Sequence, residues 1–478
     1  MGVYGMCACR SALLIAAIAW GGAWGGVWAG NARADVLPPL DAQRLARGIF
    51  EELVEINTTD SAGSTTVAAE AMRARLNAGG LAPADVLVLA PPAAPKHGNL
   101  VARLRGTGEM KPILLLAHLD VVEARPEDWS VPPFQFLERD GYFYGRGTSD
   151  DKSMASIWVA TLIRLKQEGF RPHRDLIVAL TAGEESGKDN GVDWLVTRHR
   201  DSIDAGFCLN EGGDGQLKNG KRLLNGVQAA EKVYVSFALE VHNRGGHSSQ
   251  PRKDNAIYQL ARGLIRVSQF EFPVKLNAIT REFFARTANT VEGELASDMK
   301  AVAGDSPDPR AIRRLADAPY LNALMRTTCV ATGLQAGHAE NALPQEARAV
   351  VNCRLLPEDD AGTIREMIRQ VVNDPEIRVS EIEPAKTSQP SPIGPEIFGA
   401  IEKVTESMWP GVPAVPLMST GATDALFLRR AGIPTYGVSG IFADVDDNRE
   451  HGKDERVGVK EYYEGEEFLY RLVKLLAR

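Results

Sequence analysis

Cysteine is scarce in this chain, with five residues in 478. Cys7 and Cys9 fall in an N-terminal apolar stretch, which leaves Cys208, Cys329 and Cys353. Three cysteines admit one disulfide at most, so a disulfide framework is excluded. Each sits in an apolar, strand-like context without metal-site spacing, so all three are expected as buried thiols. No cysteine follows the apolar stretch to carry a lipid anchor. An excess of positive charge is also missing. The formal net charge is −8, which argues against nucleic acid as a partner. Beyond residue 34 no apolar run is long enough to span a bilayer. Internal repeats and low-complexity tracts are absent as well.

The first 34 residues differ from the rest. Arg10 is the only charge before a stretch from Ser11 to Gly30 rich in Ala, Leu, Ile, Gly and Trp. Ala32-Arg33-Ala34 forms an A-x-A cleavage site before Asp35. This is the pattern of a secretory signal peptide, residues 1–34. It implies a secreted, periplasmic protein with no stable membrane insertion after cleavage. The competing reading is an uncleaved anchor. Five glycines between Ser11 and Gly30 weaken such a helix.

What remains is ordinary in composition and long enough for two domains. Its most informative stretch is Pro112 to Asp120, PILLLAHLD. A continuous apolar run reads as a strand buried on both faces, with His118 and Asp120 at its carboxyl end. Open α/β sheets place their chemistry at such ends. Leu176 to Ala182 likewise runs into Glu184 and Glu185, and Phe207 to Asn210 runs into Glu211. GRGTSDDKS sets Asp150 just before a helix, and His451 stands in REHGKDERV. Two histidines and several carboxylates at strand ends or in loops suit two divalent ions, zinc above all.

The order of elements predicts an α/β fold: a mixed sheet with helices on both faces, plus an inserted smaller α+β module. At Lys232 the texture changes to alternating strands, and past Pro390 to Pro395 the first texture returns. The expected boundaries are 35–231 and 386–478 for the catalytic domain and 232–385 for the insert. Residues 277–326 read as extra helical material inside the insert.

HLDVV, GRGTSDDK, TAGEESG, NEGG, RGGHSS and EHGKDE, in this order and spacing, resemble the dinuclear zinc amidohydrolases and exopeptidases. That family includes carboxypeptidase G, aminoacylase, acetylornithine deacetylase and succinyl-diaminopimelate desuccinylase. HLDVV, the W-x-x-P-P-F segment at Trp129 to Phe134 and GRGTSDDK are most similar to the carboxypeptidase S and Gly-Xaa carboxypeptidase branch. The resemblance implies that His118, Asp150 and Glu211 hold one zinc, and that Asp150 bridges to a second completed by Glu185 and His451. Co²⁺ or Mn²⁺ are possible substitutes. It implies Glu184 as general base, Asp120 as the group orienting His118, and a cis peptide after Asp150. It implies His247 as an oxyanion donor from the insert, often supplied by the partner of a homodimer. Asn341, Arg354 and Gly421 are the implied substrate contacts, with Arg354 placed to hold an α-carboxylate.

Alone, His118 would be a core histidine, Glu184-Glu185 a solvated helix start, and Asp150-Asp151 an N-cap. Six motifs in order outweigh those readings. The expected activity is zinc-dependent hydrolysis of an amide in short peptides with a free C-terminal carboxylate. The alternatives are an N-acyl amino acid deacylase of the same mechanism and a non-catalytic peptide-binding protein.

Overall fold

The structure is a computed structural model and describes residues 37–478. The expected signal peptide lies outside the described residues. Among the described residues no helix is long and apolar enough to cross a membrane.

The strand Ile113–His118 lies in the interior of a ten-stranded mixed sheet. It pairs in parallel with Leu176–Thr181 on one side and Phe207–Asn210 on the other. Two faces are buried by alternation. Ile113, Leu115 and Ala117 join one core, and Leu114 and Leu116 join another. The first core lies under the helices Leu40–Glu55, Thr65–Ala78, Lys152–Gln167 and Val459–Leu476, through Phe50, Met72, Trp158 and Phe468. The second lies under Gly191–Arg198 and Ala425–Arg430, through Val192, Leu195 and Leu428. A run apolar at every position therefore forms a strand covered twice.

Because the three strands are parallel and adjacent, their carboxyl ends fall side by side. His118 ends one. Glu184 and Glu185 follow Thr181, and Glu211 follows Asn210. The peptide between Asp150 and Asp151, just before the helix Lys152–Gln167, is cis.

A second sheet has four antiparallel strands in the order Thr328–Ala336, Glu346–Leu355, Val233–His242, Arg378–Glu381. Helices Ala256–Gln269 and Ala361–Val372 cover one of its faces, through Leu260, Ile364 and Ile368 packed on Val235, Phe237 and Val351. Residues 277–326 do form helices. Their apolar side chains, among them Phe283, Met299 and Leu321, join the core of the large sheet rather than that of the smaller one.

One cysteine expectation is corrected. Cys329 and Cys353 face each other in register on neighbouring strands and form a disulfide. The strand Thr328–Ala336 has no apolar alternation to betray it, so the pairing was hidden. Cys208 is a buried thiol, as expected.

Candidate active site

Each ring nitrogen of His118 has a partner. Nδ1 lies 2.9 Å from the main-chain oxygen of Asp120, and Nε2 lies 2.8 Å from Asp150 Oδ1. The other oxygen of Asp150 lies 3.2 Å from His451 Nε2. That same nitrogen lies 3.0 Å from Glu185 Oε2. One carboxylate thus touches both histidines, one oxygen to each. Potential ligand atoms of His118, Asp150 and Glu185 all lie within 4.8 Å of one another.

The electrostatics follow from crowding acids around two rings. Burial opposes a charged His118, yet the hydrogen bond and charge of Asp150, with Glu184 and Asp120 behind, raise its pKa well above the ordinary histidine value. Hydrogen bonds that His451 donates to Asp150 and Glu185 push its pKa up to about 10. Burial holds Glu184 well above the usual carboxylate range; Glu211, Asp424 and Asp150 push it the same way, against His118. Glu211 follows the strand Phe207–Asn210, which pairs in parallel with the strand that ends at His118.

The donors fit metal ions. Two imidazoles and several carboxylates are the zinc and manganese donor types. A histidine nitrogen facing a carboxylate oxygen is met either by a proton on the ring or by a cation between the two. Glu185 Oε1 is buried with no hydrogen bond, an acceptor without a donor.

Asp120 departs from expectation. Its carboxylate oxygen lies 3.9 Å from His118 Nδ1, and the main-chain oxygen takes the bond instead. The carboxylate accepts from the backbone N–H groups of Glu184 and Glu185, at 3.2 and 3.0 Å. Asp120 thus holds the turn that carries both glutamates. Gly183 shapes that turn at φ 76°, where a Cβ would meet Lys188 O at 2.4 Å.

Two supporting acids escaped the sequence reading. Glu455 is fully buried and accepts from the N–H groups of Gly147, Ser149 and Asp150, at 3.0, 2.7 and 3.1 Å. Arg146 donates to it at 2.5 Å and also to Gly452 O at 2.9 Å. The loop bearing Asp150 is thereby locked to the loop bearing His451. The one trace of Glu455 in the sequence is its place at the end of EHGKDE, four residues after His451, which says nothing of its partners. Asp424 is buried, accepts from Asn190 at 2.6 Å and Thr181 at 3.2 Å, and is pushed by burial up to about 6.

The remaining predicted residues lie apart from the cluster's hydrogen bonds. His247 is exposed on the short strand Gly246–His247, which pairs with Ala342–Leu343. Asn341 precedes that strand and accepts from Ser248 N at 3.0 Å, so the two residues share one ribbon. His247 Nδ1 accepts from Ser249 N at 3.2 Å, which leaves the ring proton on Nε2 as a donor. Arg354 sits on the smaller sheet, with its guanidinium 4.8 Å from the Tyr234 ring centre. Gly421, in the loop after Ala414–Ser419, donates to Ser419 Oγ at 3.0 Å.

Histidines and carboxylates gathered at the ends of parallel strands, with the half-buried Glu184 beside them, make a candidate metallohydrolase site. The model of Peptidase family M20/M25/M40 matches residues 114–475, and the chain belongs to that family. It is 29% identical over 378 residues to the human N-fatty-acyl-amino acid synthase/hydrolase PM20D1, covering 76% of this chain and 74% of that one. It is 30% identical over 391 residues to a probable carboxypeptidase S-like 2 from Dictyostelium discoideum, covering 79% and 74%. Its fold resembles that of the M20 family metallo-carboxypeptidase Sso-CP2 from Sulfolobus solfataricus, with a TM-score of 0.67 at 16% identity over 90% of this chain and 99% of that one. The protein is an enzyme, a hydrolase of the metallopeptidase and amidohydrolase class.

Proposed function

We propose that the enzyme cleaves an amide bond in a small substrate with a free carboxylate, using two zinc ions. The observation that carries this is the Asp150 carboxylate, which gives one oxygen to each of two histidines. A carboxylate shared in this way suits a two-metal site. His118, Asp150 and Glu211 would hold one ion, and Asp150, Glu185 and His451 the other. Bound zinc supplies Lewis acidity toward the amide carbonyl and toward the attacking water.

The chain's own residues do the rest. Glu184 takes a proton from the attacking water at its carboxylate and passes it to the leaving amine. Its raised pKa suits both halves of that task. Asp120 fixes Glu184 and Glu185 through their backbone N–H groups. His247, with its proton on Nε2, donates to the oxyanion, and Arg354 pairs with the substrate carboxylate. Similarity to PM20D1 favours N-acyl amino acids as substrates, and similarity to the carboxypeptidase S-like protein favours short peptides. Export through the N-terminal stretch is part of the proposal. The Cys329–Cys353 disulfide supports an oxidising compartment, since such bonds persist there.

The test is a panel of dipeptides and N-acyl amino acids on the zinc-loaded protein, with and without chelator. Chelation should abolish cleavage and zinc should restore it. Ligand binding without turnover of any amide would favour a binding protein instead.

A further inference from the structure

The corner Thr423-Asp424, between the strand Ala414–Ser419 and the helix Ala425–Arg430, reaches both turns that carry the glutamates of the cluster. Asp424 Oδ2 accepts from Thr181 Oγ1 at 3.2 Å, and Thr181 lies in register beside His118. Asp424 Oδ1 accepts from Asn190 Nδ2 at 2.6 Å. The same nitrogen donates to Gly183 O at 3.3 Å, next to Glu184. On the other flank, a Cβ added to Gly212, the residue after Glu211, would lie 3.5 Å from Thr423 Cγ2. The corner therefore rests between the turn that carries Glu184 and the turn that follows Glu211.

Glu231 holds this corner in place. Its Oε2 accepts from Thr423 N at 3.0 Å and from Thr423 Oγ1 at 3.2 Å. Its Oε1 lies 3.3 Å from Arg429 Nη1, and both side chains are 2% exposed. Arg429 in turn donates to Ser391 Oγ at 3.2 Å and to Thr435 O at 3.0 Å. Glu231 ends the strand Lys221–Glu231, where the chain leaves for the smaller sheet. Ser391 follows the chain's return and donates its N–H to Ala229 O at 2.7 Å. One buried ion pair thus joins the corner to both passages between the domains. Such a pair adds little to stability, because well-packed apolar residues of like volume often serve as well or better. What it fixes is one arrangement of the groups bonded to it.

We propose that Glu231 is a positioning residue for the hydrolysis: through Thr423 it holds the corner against the turns that carry Glu184 and Glu211. The inference rests on the amide-hydrolase reading and deepens it. Without the bond to Thr423 both turns are free to shift. A misplacement of about 1 Å at a reacting group costs on the order of 10²-fold in rate.

The experiment compares two double variants that both lack the ion pair. Glu231→Leu with Arg429→Met leaves Thr423 without an acceptor. Glu231→Gln with Arg429→Met keeps an amide oxygen for it. Both should fold, since apolar replacement of a buried pair is often neutral. In the metal-loaded enzyme the Leu variant should lose about tenfold to a hundredfold in kcat, with KM little changed. The Gln variant should recover most of that loss. Wild-type kcat in the Leu variant, or equal loss in both variants, overturns the proposal. Should either double variant fail to fold, Thr423→Val keeps the shape and the backbone N–H and removes the hydroxyl donor. It should lower kcat by about threefold or more, and an unchanged kcat there overturns the proposal.

Backbone hydrogen exchange of the protein as purified reads the corner without any turnover. Residues 183–185, 211–213 and 423–424 should exchange about tenfold faster in the Leu variant and near the wild-type rate in the Gln variant. That pattern supports the hold of Glu231 on the corner even where no amide is cleaved; the hydrolase reading then falls alone. Unchanged exchange in the Leu variant overturns the proposal and leaves the hydrolase reading intact.

Discussion

The strand ends of the large sheet and the open face of the smaller one satisfy their polar groups in different ways. At the strand ends, His118 is 2% exposed and both its nitrogens are partnered. Asp120 and Glu455 are each held by main-chain N–H groups. On the smaller sheet and its ribbon, His247 and Asn341 are exposed, and Arg354 has a buried nitrogen without an acceptor. The first region holds its side chains by hydrogen bonds within the protein. The second presents donors that a substrate anion can satisfy. On the proposed assignment, metal binding and substrate selection should be separable by mutation.

The largest effect that sharpens this division is at Glu184. Glu184→Gln keeps the shape and removes the base, so turnover should fall about 10²–10⁴-fold with metal content unchanged. Activity within tenfold of wild type would exclude Glu184 as the base. His247→Ala should lower turnover about 10²–10³-fold, again with both metals retained. Loss of metal in that variant would break the division, because it would tie the ribbon to the metal site.

Glu455→Ala tests the first region from the other side. It strands the Arg146 guanidinium, in an ion pair whose side chains are 3% and 1% exposed, and three N–H groups. The expected cost is about 3–5 kcal/mol, seen as a lowered unfolding midpoint together with weakened metal binding. A lowered midpoint with normal metal affinity would show that the two loops do not depend on this lock.

The smallest effect lies outside both regions. Burial pushes the Glu466 carboxyl up to about 8 from an ordinary 4.5. The folded chain therefore holds a proton that the unfolded chain releases above about 4.5. Stability is lost as pH rises from about 4.5 to 8. Glu466→Gln should stabilise the protein at pH 8 by about 1 kcal/mol or more, and much less at pH 5. An equal gain at both values would show that the carboxyl is not protonated in the folded state.

The position of the cluster was legible because three strands buried on both faces write themselves as unbroken apolar runs, and its histidine and carboxylates follow at once. The supports were harder to read. Glu455 meets Gly147 and Ser149 across some three hundred residues, and nothing local marks that contact. Asp120 was read by its side chain, whereas its main-chain oxygen meets the histidine. The strand Thr328–Ala336 is a sheet edge, largely exposed and irregular in register between Ala331 and Gly333, so it lacks an alternating signal. The C-terminal helix Val459–Leu476 buries Glu464, Glu466 and Glu467, which blurs its apolar face.

The central claim is that Asp150 joins two metal ions at the ends of three parallel strands. The most direct measurement is metal content by elemental analysis of the purified mature protein beside its Asp150→Ala variant. The account predicts close to two zinc ions per chain in the wild type, and loss at both positions in the variant. One ion in the wild type, or two fully occupied sites in Asp150→Ala, would contradict it.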